Sequence, residues 1–259
     1  MDSHAHLLKP PNAMLLALEG RAPWELGASV AAYPLLRFAP RGDGHAVLVF
    51  PGLATSDITT LPLRAFLAER GYRPRGWEMR LNLGPRDGVI DRCLDMVHRL
   101  RRETRRKVSL VGWSLGGVYA RELAKLAPEN VRCVVTLGSP FTGHPKANNA
   151  WRIYELASGH SIGDGKAFRR VREAPPVPTT SIFSRSDGIV AWRCCVQEPG
   201  PIAESIEVAA SHIGMGLNPA AWYAVADRLA QREGRWKPFH REGWRQWLYR
   251  DPHRADGRG

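Results

Sequence analysis

One stretch constrains this chain more than any other: Lys107 to Ala120, which reads KVSLVGWSLGGVYA. Val108 to Val111 is a short apolar run suited to a buried strand, and Leu115 to Leu126 carries a helical pattern. Between them stands Gly112-Trp113-Ser114-Leu115-Gly116, a G-x-S-x-G pattern. A turn this tight leaves no room for side chains at its flanks, and glycine at 112 and 116 removes them. The serine at the apex is forced into a strained backbone conformation, with its hydroxyl above the strand ends and the Leu115 amide aimed at the same spot. A third glycine, Gly117, follows, and the helix runs on towards Pro128. Ser114 is therefore the candidate nucleophile.

A length of 259 residues can bury a full core and suits one α/β domain. The hydrophobic share of 44% and charged share of 24% are those of an ordinary globular chain. There is no apolar run of about 18 residues that would span a membrane, and the first residues lack a basic start and apolar segment. The four cysteines, Cys93, Cys133, Cys194 and Cys195, have no C-x-x-C spacing, so a reduced, cytoplasmic compartment is the expectation. The net charge of +12 would draw acidic partners. Much of it lies between Arg99 and Lys107, at a helix end whose dipole suits cations without any ligand, and in the C-terminal tail. No nucleic-acid module accompanies the charge, so no nucleic-acid partner is expected.

Residues 1–45 carry two helical patterns, Asn12 to Glu19 and Pro23 to Arg37, broken at Gly20-Arg21. From Ala46 strands and helices alternate as in a parallel α/β domain. The strands are expected at 46–50, 72–77, 108–111, 131–137, 178–183 and 205–208, and the helices at 62–70, 87–104, 115–126 and 219–231. Between about 141 and 177 the pattern breaks into helical pieces among Gly, Asn and Pro. Long irregular stretches in compact domains tend to be functional.

The elbow, Phe50-Pro51-Gly52-Leu53, Leu137-Gly138-Ser139-Pro140, Ser186-Asp187-Gly188 and Ser211-His212 together resemble the α/β-hydrolase family, in particular its lipase-like and esterase-like members. The resemblance runs from about Ala46 to about Leu229. It implies a mostly parallel sheet flanked by helices, with residues 46–234 as the hydrolase domain. It also implies a cap inserted at about 141–177, with Trp151, Ile153, Tyr154 and Leu156 as candidate lining and His144 and His160 within reach of substrate. The first two strands that many members carry are not visible in residues 1–45, a departure from the family.

The resemblance further implies acyl transfer through a serine, with the chain order Ser, acid, His. A serine hydroxyl needs a base, and the base needs a carboxylate to orient it. His212 follows the last strand and fits the base; Asp187 follows the strand ending at Phe183 and fits the acid. The bland alternative for Asp187 is an Asx-turn before Gly188. Asp164, inside the presumed cap, is the competing acid. The oxyanion of the tetrahedral intermediate needs two backbone donors, expected at the amides of Leu115 and, by the family pattern, Leu53. Ser139-Pro140 reads as loop geometry. No metal-ligand spacing and no nucleotide loop stands out, and the mechanism requires no cofactor.

The tail 235–259 is basic and aromatic. Trp244, Trp247 and Leu248 share a helical face beside Arg241, Arg245 and Arg250. Such a segment suits an anionic membrane surface or docking on the domain; docking is the expectation, with Asp251 to Gly259 loose. The functional expectation is a hydrolase of carboxylic esters, lipid-like ones included, acting on a small-molecule substrate. An acyltransferase with the same triad, and a binding protein that kept the fold without the activity, are the alternatives.

Overall fold

The structure is a computed structural model and describes residues 9–142 and 172–254. The presumed cap lining, His144, His160 and Asp164 lie outside the described residues. Six strands form one sheet: β1 (Ala46–Phe50), β2 (Arg73–Arg75), β3 (Val108–Trp113), β4 (Val131–Leu137), β5 (Thr179–Phe183) and β6 (Ala203–Glu207). Their spatial order is β2-β1-β3-β4-β5-β6, and every neighbouring pair is parallel.

The centre of the sheet is buried on both faces, which is why β1, β3 and β4 read as largely apolar runs. Alternate side chains serve opposite layers. Val47, Val49, Val111 and Trp113 pack with Phe66 and Leu67 of α3 (Asp57–Glu69) and Trp222 and Val225 of α6 (Pro219–Leu229). Ala46, Leu48, Phe50, Val108 and Leu110 face the other way. They meet Cys93, Val97 and Leu100 of α4 (Val89–Thr104), and Tyr119 and Leu123 of α5 (Leu115–Leu126). Burying one such side chain is worth about 1.5–3 kcal/mol, so the period-2 strands and the 3.6-period helices lock each other.

This order also positions the site. The chain steps outward from β1 to β2, then returns across β1 to lay down β3. The reversal leaves a crevice beyond the C-terminal ends of β1 and β3, where ligands bind in open α/β sheets.

Several boundaries differ from expectation. The helix expected to start at Pro62 begins at Asp57 and carries Pro62 inside it. The hydroxyls of Thr59 and Thr60 donate to the Ser56 and Asp57 carbonyls, and Arg64 Nη2 donates to the Asp57 carbonyl at 2.8 Å. The turn before the proline is thus held by side chains. Strand β3 continues two residues further than expected, to Trp113, and β2 is shorter.

Before β1 the described chain is helical. Asn12 Oδ1 accepts from the Leu15 amide at 2.9 Å and caps α1 (Ala13–Ala17). A 3-10 turn (Leu18–Arg21) occupies the expected break, and α2 (Ala22–Leu36) follows. No strand precedes β1 among the described residues. All four cysteines are free and buried. Among the described residues no helix is long and apolar enough to cross a membrane.

The tail docks, but not by the expected face. Phe239 (3% exposed) and Tyr249 (1%) enter the core layer around α6, whereas Trp247 is 81% exposed. The helix here is one turn, α7 (Arg245–Leu248), too short to present a continuous stripe. Docking is set instead by the sheet edge. Glu204 Oε2 accepts from the Phe239 amide at 2.8 Å, and Arg241 Nη2 donates to the Ser205 carbonyl of the edge strand at 2.7 Å. Residues 251–254, expected to be loose, are tied down: the Arg254 guanidinium pairs with Glu207, and Arg185 Nη2 donates to the Arg254 carbonyl at 2.8 Å.

Candidate active site

Ser114 sits between β3 and α5 with φ 53° and ψ −122°, a left-handed backbone that costs a non-glycine residue about 1–3 kcal/mol. The surrounding turn holds it there. A Cβ on Gly112 would run into the backbone of Gly116 and Gly117. One on Gly116 would come within 2.5 Å of the Phe50 carbonyl and 2.7 Å of the Pro51 carbonyl. The two glycines thus allow strand, helix and the β1 loop to meet. The Ser114 amide donates to the Leu137 carbonyl at 2.8 Å, tying the elbow to β4.

The other two predicted side chains converge on it. His212 Nε2 lies 3.0 Å from Ser114 Oγ, and His212 Nδ1 lies 2.7 Å from Asp187 Oδ2. Their sequence separations are 98 and 25 residues, bridged because β3, β5 and β6 all end at the same edge of the sheet. The hydrogen bonds of Asp187 accommodate both readings considered for it. Its Oδ1 accepts from the amides of Ile189 (2.9 Å) and Val190 (2.7 Å) in an Asx-type turn, which leaves Oδ2 for the histidine. Asp187 and His212 are both buried. Burial lowers the proton affinity of His212, but the Asp187 charge, the Asp187 hydrogen bond and the Glu19 charge outweigh it. The net shift is upward from the ordinary 6.5.

The loop after β1 borders the nucleophile: a Cβ on Gly52 would lie 3.3 Å from Ser114 Cβ. Neither the Leu53 nor the Leu115 amide has a hydrogen-bond partner among the described residues, so both remain able to donate to a ligand. Asn82, buried behind the loop, braces it. Its Nδ2 donates to the Pro51 carbonyl (2.8 Å), its carbonyl accepts from Ala54 N (2.7 Å), and its Oδ1 accepts from Tyr119 Oη (3.2 Å).

Other residues support the pair, and of these Glu19 and Glu25 had no sequence signal of their own. Gly138, with φ 57°, lies directly under the pair: a Cβ there would be 3.2 Å from His212 Nδ1 and 3.3 Å from Asp187 Oδ2. Trp113 Nε1 donates to the His212 carbonyl at 3.0 Å. Glu19 and Glu25, from the segment before β1, accept from main-chain amides of the loops that carry Asp187 and His212. Ser139 stays out of the line; its Oγ packs where a side chain on Gly117 would be. A groove of about 460 Å³, lined by Arg132, Val134, Pro178 and Trp236 among others, is at the N-terminal ends of β4 and β5, far from Ser114. Among the described residues no cluster of three or more His, Cys, Asp or Glu is placed to hold a metal ion.

A sequence-family model described as the alpha/beta hydrolase fold matches residues 73–159. Comparison with curated protein sequences gives no match. Among solved structures, the chain is similar to lipase B of Aspergillus fumigatus (TM-score 0.55, 17% identity), with 73% of this chain aligned to 53% of that one. It thus spans about half the length of the fungal protein. It is also similar to the monoacylglycerol lipase of Paleococcus ferrophilus (TM-score 0.53, 15% identity), with 74% and 96% of the two chains covered. A pyrethroid hydrolase of Sphingobium faniae JZ-2 gives a TM-score of 0.52 at 18% identity, covering 71% and 97%. With this sequence match and these likenesses added to its strand order, the chain is a protein of the α/β-hydrolase fold.

Proposed function

We propose that this protein is a serine hydrolase that cleaves carboxylic esters through an acyl-enzyme. The observation that carries the reading is the line from Asp187 Oδ2 through His212 to Ser114 Oγ, at 2.7 and 3.0 Å, ending on a serine with φ 53°. Asp187 accepts from Nδ1–H and so leaves the Nε2 lone pair facing the serine hydroxyl. Ser114 Oγ attacks the ester carbonyl carbon while Nε2 takes its proton. The amides of Leu53 and Leu115 donate to the oxyanion that forms. The carbon–oxygen bond to the leaving alcohol then breaks as His212 returns the proton to it. Water, deprotonated by His212, attacks the acyl carbon, and Ser114 leaves with its proton restored.

The test is hydrolysis of p-nitrophenyl esters of short to long acyl chains by wild type and Ser114→Ala, alongside labelling by a fluorophosphonate probe. The lipases among the similar structures suggest extending the panel to long chains. Ser114→Ala is expected to lose about 10⁴-fold or more in kcat and all labelling. Hydrolysis undiminished in the variant would refute the reading. Transfer of the acyl group to an added alcohol in preference to water would assign the same triad to acyl transfer.

A further inference from the structure

The segment before β1 reaches into the site. Glu19, in the 3-10 turn between α1 and α2, is buried and forms no ion pair among the described residues. A carboxylate removed from water needs other compensation, and here three main-chain donors supply it. Glu19 Oε1 accepts from Gly188 N at 2.7 Å and from His212 N at 2.9 Å, and Oε2 accepts from Ile213 N at 2.8 Å. Gly188 follows the acid, and His212 is the base itself. The bonds span 169, 193 and 194 residues. Neighbours on the same segment reinforce them. Glu25 accepts from Ser211 N at 2.6 Å and Asn218 Nδ2 at 3.1 Å, and Arg21 Nη2 donates to Ser186 Oγ at 2.8 Å.

We propose that Glu19 is a positioning residue of this site: its carboxylate clasps the loop bearing Asp187 to the loop bearing His212, so that the reactive geometry depends on the docked N-terminal segment. The assignment rests on the triad reading above and adds to it a residue from outside the strand ends. A displacement of about 1 Å between catalytic groups can cost about 100-fold in rate, and a single carboxylate shared by both loops is suited to prevent it.

Glu19 also acts on His212 by its charge. The charged groups facing the imidazole are Asp187 from the acid loop and Glu19 from the N-terminal segment. Glu25 and Arg21 stand one step further out, on Ser211 and Ser186. Trp113 of β3 and Gly138 beyond β4 contribute no charge. Both facing carboxylates favour the imidazolium against the effect of burial. The base works when neutral, so activity rises with pH through a midpoint above 6.5 in the wild type. Removing the Glu19 charge moves that midpoint to lower pH.

Full-length wild type, Glu19→Gln and Glu19→Ala are compared by kcat and KM on a p-nitrophenyl ester and by the pH dependence of fluorophosphonate labelling, with the labelled residue located by mass spectrometry. Glutamine keeps an oxygen for the Gly188 and His212 amides but turns a donor towards Ile213 N and loses the charge. Glu19→Gln is expected to lose roughly tenfold in kcat and to shift the midpoint down; Glu19→Ala is expected to lose about 100-fold with KM changed far less. If Glu19→Ala does not fold by circular dichroism, the Glu19→Gln midpoint decides alone. Labelling at Ser114 with wild-type rate and midpoint in Glu19→Gln overturns this assignment and leaves the triad intact. Labelling elsewhere, or undiminished in Ser114→Ala, overturns the triad and the assignment with it.

Discussion

Ser114 is held by atoms close to it in the chain or on the adjoining strands, whereas the loops of His212 and Asp187 are bonded to side chains 169 to 194 residues away. Around the serine the restraints are steric: Gly112 and Gly116 permit the approach of β1, β3 and α5, and the turn leaves one conformation for the residue between them. Around the histidine and the aspartate the restraints are hydrogen bonds to loops. Glu19 and Glu25 satisfy amides on both loops, and Gly138 opens the space beneath the pair. The first half is a supersecondary unit that specifies itself. The second is an assembly whose two loops share the carboxylate of Glu19 from the N-terminal segment.

Asp187→Asn is the harshest test of the assembled half. The amide would set a donor against Nδ1–H or force the other tautomer, and kcat should fall about 10⁴-fold with little change in KM. A loss of tenfold or less would mean that His212 is oriented without Asp187. Next in size is Phe239→Ala, at the docked tail. It should cost about 3–5 kcal/mol in denaturant unfolding while the kcat of the protein that remains folded is unchanged. A fall in kcat would couple the tail to the site and blur the division between the halves. Asn82→Ala probes the self-specified half. The main-chain bonds of residue 82 to Ala54 and Thr55 survive, but the bonds to Pro51 and Tyr119 go, and kcat should drop about 10- to 100-fold through the loosened Leu53 amide. An unchanged kcat would show the loop to be rigid without its brace. Smallest is Trp247→Ala: stability should stay within about 0.5 kcal/mol, because this side chain is exposed.

How much of this is legible in the residues depends on how far each restraint reaches. The central strands of the sheet are visible because a strand buried on both faces is mostly apolar, as AVLVF at 46–50 is. The helix α4 is visible from Val89, Cys93, Val97 and Leu100 recurring at helical spacing, and all four are buried. Pro62 misleads because proline usually opens a helix, and only the side-chain bonds of Thr59, Thr60 and Arg64 show why this helix begins five residues earlier. The aromatic tail misleads for a related reason. Trp244, Trp247 and Leu248 form a good helical stripe on paper, but one helical turn is all that forms. The edge strand β6 instead fixes the path by engaging Phe239 and Arg241.

The elbow and the alternation of strands and helices are written in the residues, because each follows from sterics or periodicity within a few positions. The order Ser114, Asp187, His212 and the roles of the three came from the resemblance. That these three side chains meet at 2.7 and 3.0 Å is a property of the fold, because it requires three strands to end at one edge. The fold alone decided that Glu19 and Glu25 point inward. A glutamate on a helix reads as a solvated charge until the loops whose amides it must satisfy arrive from a distant part of the chain.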